Sequence, residues 1–197
     1  MRRSLFVLLP ILLLAVQSGC VTCPCGVSPA AGARFPILED GKYGFIDGAG
    51  AVVIEPKYKR VWPFSEGLAV AQIGEKFGFI DTAGEIAIEP RFDWAWSFSE
   101  GLACVKQGDD CGFVDHSGRM VIPAKFHWAW SFSEGRACVR VGPRLGYIDP
   151  KGNLAIPAGF DEADTFRDGL AAVKIDDTVS YINSAGDVVW RQRSAGN

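Results

Sequence analysis

Histidine is nearly missing from this chain, with only His116 and His127 among 197 residues, and neither stands near a motif partner. Without an imidazole flanked by a nucleophile or by further ligands, the usual acid–base and metal-binding constellations have no starting point. No catalytic residue, metal or cofactor is therefore assigned, and the chain is expected to be non-enzymatic. An excess of positive charge is missing as well: 20 Lys and Arg stand against 23 Asp and Glu, a net charge of -3. There is no basic stripe for a phosphate backbone, so nucleic acid is excluded as the expected partner, and electrostatic membrane binding is equally unsupported. Long hydrophobic runs are absent apart from Leu5 to Val16, which follows Arg2 and Arg3 and is short for a membrane-spanning helix.

That run is a targeting signal in form, and it sets the expected organisation: a signal peptide over 1–19, a flexible tether over 20–33 rich in Pro, Gly and Ala, repeats over 34–190 and a tail over 191–197. Directly after the run stands Gln17-Ser18-Gly19-Cys20, which resembles the lipobox of bacterial lipoproteins. The resemblance implies a lipidated Cys20 at the mature N-terminus, with several acyl chains holding the domain at a membrane of the bacterial envelope, facing the periplasm or the cell surface.

With 48% hydrophobic residues the remainder can build a core, and an internal repeat decides its form. Phe92 to Val105 reads FDWAWSFSEGLACV and Phe126 to Val139 reads FHWAWSFSEGRACV, displaced by 34 residues. The same step separates Gly44-Phe45-Ile46-Asp47, Gly78-Phe79-Ile80-Asp81, Gly112-Phe113-Val114-Asp115, Gly146-Tyr147-Ile148-Asp149 and the looser Ser180-Tyr181-Ile182-Asn183. Five units result.

Within a unit, LACVK, CGFVD and RMVIP read as three strands joined by turns, an antiparallel meander. Asp115 and Gly118 bracket a type I turn, in which the aspartate is expected to bond its own turn and the glycine takes positive φ. Pro56, Pro90, Pro123 and Pro157 are expected to end the third strands, since proline donates nothing to a ladder. The spacing of Phe92, Ala95 and Phe98 predicts a short helical turn that lays these side chains on one face. Ser99-Glu100-Gly101 then turns the chain into the next strand, and the recurring acids Glu66, Glu100, Glu134 and Asp168 are read as turn formers.

These residues resemble the WG-repeat family of bacteria, whose pattern is roughly Trp-Gly-aromatic-Ile-Asp-x-x-Gly, a strand ending in Pro, an aromatic, then Phe-Ser-Glu-Gly-Leu-Ala. The likeness spans about residues 34 to 190, with Tyr43, Phe77, Cys111 and Leu145 where the name-giving tryptophan would stand. It implies a binding or scaffolding module and supplies no active-site residue.

The copies can be compared with one another. Tyr58, Phe92, Phe126 and Phe160 share one slot and Phe64, Phe98, Phe132 and Phe166 another, both read as core. One variable slot holds Trp62, Trp96, Trp130 and Asp164; a second holds Arg60, Trp94, Trp128 and Glu162. Core positions rarely accept such exchanges. The rings therefore either pack over the loops between units or form a surface ladder, and Trp62, Trp94, Trp96, Trp128 and Trp130 are the candidate binding residues for a partner protein or a glycan. Cys104 and Cys138 are expected to be small buried thiols, a bond between units being the alternative; Cys23 and Cys25 lie in the tether. The fold expected is all-β: five three-stranded meanders with a short loop or helical turn, stacked as an open superhelical or solenoid-like array, with propeller-like closure as the alternative because propeller blades usually have four strands. The fifth unit, which stops near Trp190 without the Phe-Ser-Glu-Gly segment, is expected to be a terminal cap.

Overall fold

The computed structural model describes residues 32–193. The candidate signal peptide, Cys20, Cys23 and Cys25 lie outside them. The described residues form an all-β fold of five small antiparallel sheets, none closed into a barrel. The first sheet has three strands, β1 (Phe35–Glu39), β2 (Lys42–Ile46) and β3 (Val52–Tyr58). The second has four: β4 (Arg60–Val61), β5 (Leu68–Ile73), β6 (Lys76–Asp81) and β7 (Ile86–Phe92). The third comprises β8 (Trp94–Ala95), β9 (Ala103–Gln107), β10 (Asp110–Val114) and β11 (Met120–Phe126). The fourth comprises β12 (Trp128–Ala129), β13 (Ala137–Val141), β14 (Arg144–Ile148) and β15 (Leu154–Phe160). The fifth comprises β16 (Glu162–Ala163), β17 (Leu170–Ile175), β18 (Thr178–Asn183) and β19 (Val188–Arg191).

Two expectations are corrected here. The segment read as a helical turn is a strand: Trp94 and Ala95 pair with Lys106 and Val105, adding a fourth, two-residue strand to the sheet. Phe92, Ala95 and Phe98 are all buried as expected, but a bend at Asp93 followed by new pairing achieves it. The prolines do not end the third strands, which run on through them to Tyr58, Phe92, Phe126 and Phe160. Each such strand lies at a sheet edge, and its register shifts between Ile88 and Phe92 and at the equivalent positions, so the missing N–H falls at a bulge.

That bulge explains the strand glycine. A Cβ on Gly78 would lie 2.5 Å from the Ile88 carbonyl oxygen and 2.8 Å from the Pro90 nitrogen. The repeated Gly-aromatic pair is therefore fixed by backbone approach from the neighbouring strand. The turn after it forms as the sequence implies: Asp81 Oδ1 accepts from the Ala83 and Glu85 N–H groups, each at 2.9 Å, and Gly84 N–H donates to the Asp81 carbonyl. The same arrangement recurs at Asp47, Asp115, Asp149 and Asn183. Hydrogen bonds from Ser117 and Arg119 hold the Asp115 carboxyl below the ordinary carboxylate range.

Apolar residues are buried between the sheets, in four clusters, one at each junction. At the second-to-third junction, Val70, Phe77, Phe79, Ile88 and Phe92 from one sheet meet Ala95, Phe98, Ala103, Val105 and Val114 from the next. The other three junctions use the equivalent slots. A single sheet thus leaves both faces apolar, and only its neighbours remove them from water. The two rows read as core hold, with Phe64 and Phe160 partly buried.

Candidate functional site

The five candidate tryptophans are brought together along the edges carrying the two-residue strands. Backbone hydrogen bonds pin each position: Trp62 N–H donates to Val70 O, Trp96 to Cys104 O and Trp130 to Cys138 O, at 3.0, 2.9 and 3.0 Å. Trp94 and Trp128 lie in the short strands themselves. The rings form one zigzag: Trp62 to Trp94 at 5.4 Å, Trp94 to Trp96 at 6.3 Å, Trp96 to Trp128 at 5.5 Å and Trp128 to Trp130 at 6.0 Å between centroids. All four contacts are edge-to-face, the arrangement that matches the positive rim of one ring to the negative face of the next. Contacts within a sheet alternate with contacts between sheets, so the seam ties three consecutive sheets at one edge.

Burial is uneven. Trp62 and Trp94 pack against the second-to-third cluster, Trp96 against the third-to-fourth and Trp130 against the fourth-to-fifth, while Trp128 remains 39% exposed. The seam is thus a combination of the two readings open from sequence: the rings pack on the units, and they also form a continuous strip with an open side. Cations flank it, because Trp94 pairs across the sheet with Lys106 and Trp128 with the exposed Arg140. The strip ends where Arg60 replaces tryptophan at one side and Glu162 and Asp164 at the other.

The recurring acids do more than form turns. Ser99 and Leu102 exchange backbone hydrogen bonds around Glu100 and Gly101, both at positive φ (55° and 80°), a two-residue type I′ hairpin. Glutamate is an unfavourable residue for that first position. Its side chain, however, reaches the next unit: Glu66 Oε2 accepts from Gly101 N–H at 3.1 Å, Glu100 from Gly135 at 2.9 Å and Glu134 from Gly169 at 2.8 Å. Beside them Ser65, Ser99 and Ser133 donate to the carbonyls of Phe98, Phe132 and Phe166. Sequence reasoning missed this ladder; its signal was Glu where Asn or Gly would suit the turn.

Cys104, Cys111 and Cys138 are free and buried. The Cys104 thiol is pushed up by its hydrogen bond with Cys111 and by burial, and burial pushes Cys138 up to about 12, so both are inert packing thiols. His116 stacks on Phe98 with centroids 4.3 Å apart and places Nε2 3.2 Å from Glu66 Oε2. Among the described residues no three His, Cys, Asp or Glu side chains are grouped to hold a metal, and no helix is long and apolar enough to cross a membrane.

No curated protein sequence matches the chain. Among solved structures it is similar to Hsv2 of Kluyveromyces lactis (TM-score 0.53, 10% identity, 82% of this chain and 61% of that one). It is also similar to a eukaryotic initiation factor (TM-score 0.58, 10% identity, 83% of this chain and 52% of that one). It therefore spans between half and two thirds of the length of either. At such identity the likeness is one of fold, to β-propeller-like structures. The repeat described as WG containing repeat matches four times, over residues 43–77, 77–110, 112–142 and 146–178. Those matches take in every tryptophan of the seam and every inter-unit glutamate, and the chain belongs to the WG containing repeat family.

Proposed function

We propose that the chain is a non-enzymatic binding or scaffold module of the bacterial cell envelope, tethered through a lipidated Cys20, whose tryptophan seam docks a partner protein. The observation that carries this reading is the unbroken zigzag from Trp62 to Trp130 with Lys106 and Arg140 beside it. Tryptophan and arginine at the centre of a packed patch are the residues that most often dominate association energies. The flanking cations favour a partner segment that offers apolar side chains interleaved with carboxylates. A glycan needs ring faces laid open for stacking, whereas here each contact covers one tryptophan's face with its neighbour's rim. This favours protein over peptidoglycan or surface polysaccharide.

The four-stranded sheets also favour a propeller-like arrangement over a solenoid, because the strand that sequence reading could not see completes the usual blade.

Pull-down from envelope extract with wild type and with a Trp94→Ala, Trp128→Ala double variant tests the docking role. Loss of a defined partner with retained fold supports it; equal recovery of every partner rejects it. Sedimentation with purified cell wall that disappears in the same variant would move the assignment to the glycan reading. A diacylglyceryl adduct on Cys20, read by mass spectrometry, tests the anchor.

A further inference from the structure

The two ends of the array carry the two unfinished halves of the junction that the chain builds four times inside itself. On the side of each sheet that faces the next, one slot is filled by Phe45, Phe79, Phe113 and Tyr147, all fully buried, and a second by Ile54, Ile88, Ile122 and Ile156, at most 4% exposed. In the fifth sheet the same slots hold Tyr181 and Trp190, 42% and 51% exposed. They sit opposite each other in register, with rings 5.9 Å apart. At every internal junction the aromatic of the first slot meets a ring from the next unit at 4.8 to 4.9 Å. Beside Tyr181 no described residue supplies that ring, and a groove of about 530 Å³ opens between Tyr181, Ala172, Leu170, Asp164 and Arg167. A capping unit should present a polar outer face. This one presents an aromatic pair.

At the other end, the first sheet exposes the complementary side. Where the second to fifth sheets press Ala69, Ala103, Ala137 and Ala171 against their predecessors at 0 to 1% exposure, the first sheet carries Phe35 at 44%. Phe35 stands in the alanine slot, beside that of Phe64, Phe98, Phe132 and Phe166, and offers an exposed aromatic ring on this face. Polar groups match as well. The inter-unit glutamates accept from an N–H 35 residues further on. Asp168 holds the same slot in the last unit, and its counterpart in the register of a following copy is residue 33. Next to it stands Arg34, whose Nε is buried without a hydrogen-bond partner.

We infer that the free face of the fifth sheet binds the free face of the first sheet in a second copy, so that copies associate head to tail through the same junction that joins the units within one chain. Such an interface is heterologous: one head and one tail of the assembly stay open unless it closes into a ring. The seam stops at Glu162 and Asp164, so this contact uses sheet faces and is independent of the tryptophan site.

Two differently tagged full-length copies, co-expressed and co-purified in detergent, test it. Wild type with wild type should co-purify. Both copies carrying Phe35→Asp, or both carrying Trp190→Asp, should lose at least tenfold of the recovered partner. One copy with Phe35→Asp and the other with Trp190→Asp keeps one intact head and one intact tail, and should recover a one-to-one pair. Because both positions are exposed, a cooperative melt of each variant is expected. Failure of the wild type to co-purify, retained pairing between two Trp190→Asp copies, or no pairing in the mixed case overturns the inference. A Trp94→Ala, Trp128→Ala copy should pair normally, which separates this contact from the seam.

Discussion

At the scale of single residues, much of what is repeated in this chain is decided by how closely backbones approach. Gly112 shows the constraint in isolation, since a Cβ there would lie 2.6 Å from the Ile122 carbonyl oxygen and 2.7 Å from the Ala124 nitrogen, both backbone atoms that cannot rotate away. Gly112→Ala should therefore force the bulged edge strand outward and cost about 1–3 kcal/mol, the range of overpacked cores, measured by urea unfolding. Glu100 is held by two opposed effects. Its positive φ disfavours glutamate, and its carboxylate hydrogen bond to Gly135 N–H offsets that by linking two units. Glu100→Ala keeps the strained backbone and loses the link, so a destabilisation of about 1 kcal/mol is expected. Asp168 shares the strain at φ 53° and, among the described residues, has no following unit to reach. Asp168→Gly should be neutral or raise the melting temperature slightly, provided the protein is dilute enough to be monomeric. Asp168→Ala, which keeps the strained backbone as Glu100→Ala does, is the matched test, and equal losses from the two alanine substitutions would show that the carboxylates serve only their own turns.

At the scale of elements, legibility followed the range of the interaction. The Asp-x-x-Gly turns were readable because aspartate bonds N–H groups two and four residues on, within the span that sequence displays. The long strands were readable from alternation, and the buried aromatic rows from their identity in every unit. Trp94–Ala95 could not be recognised as a strand, since two residues hold no period and pairing with Lys106 and Val105 is set by tertiary contact. The prolines misled for a related reason: proline forbids an interior ladder, but only the sheet order reveals that these strands lie at edges. For the tryptophans, variability between units set them apart from the invariant rows, but four of the five pack against the clusters between sheets, and their mutual edge-to-face packing depends on how neighbouring sheets are juxtaposed. That packing has unequal consequences along the seam. Trp96 is anchored in the third-to-fourth cluster and touches two other tryptophans, whereas Trp128 is 39% exposed. Trp96→Ala should cost about 2 kcal/mol of stability, and Trp128→Ala under about 1 kcal/mol while removing more exposed ring surface from the seam. Thermal melts of the two variants give the comparison.

At the scale of the whole molecule, four separate clusters between five sheets make stability a matter of nearest neighbours. An interior sheet has two apolar faces covered and an end sheet has one. Phe113 in the third sheet is fully buried, while Phe35 and Tyr181 in the first and fifth are 44% and 42% exposed. Opening an end sheet therefore breaks one junction, and opening the middle sheet breaks two. Amide exchange read by mass spectrometry should accordingly be slowest in β9 and β10 and at least tenfold faster in β1, β2, β18 and β19, with the second and fourth sheets between them. Phe113→Ala should raise exchange in the third and fourth sheets, which share its cluster, and leave β1 and β2 little changed. A single uniform rate across all five sheets would mean that the chain opens as one cooperative block, and the account of stability as a sum of junctions would have to be abandoned. Raising the protein concentration adds an internal control: head-to-tail contact would slow exchange in the two end sheets and leave β9 and β10 as they were.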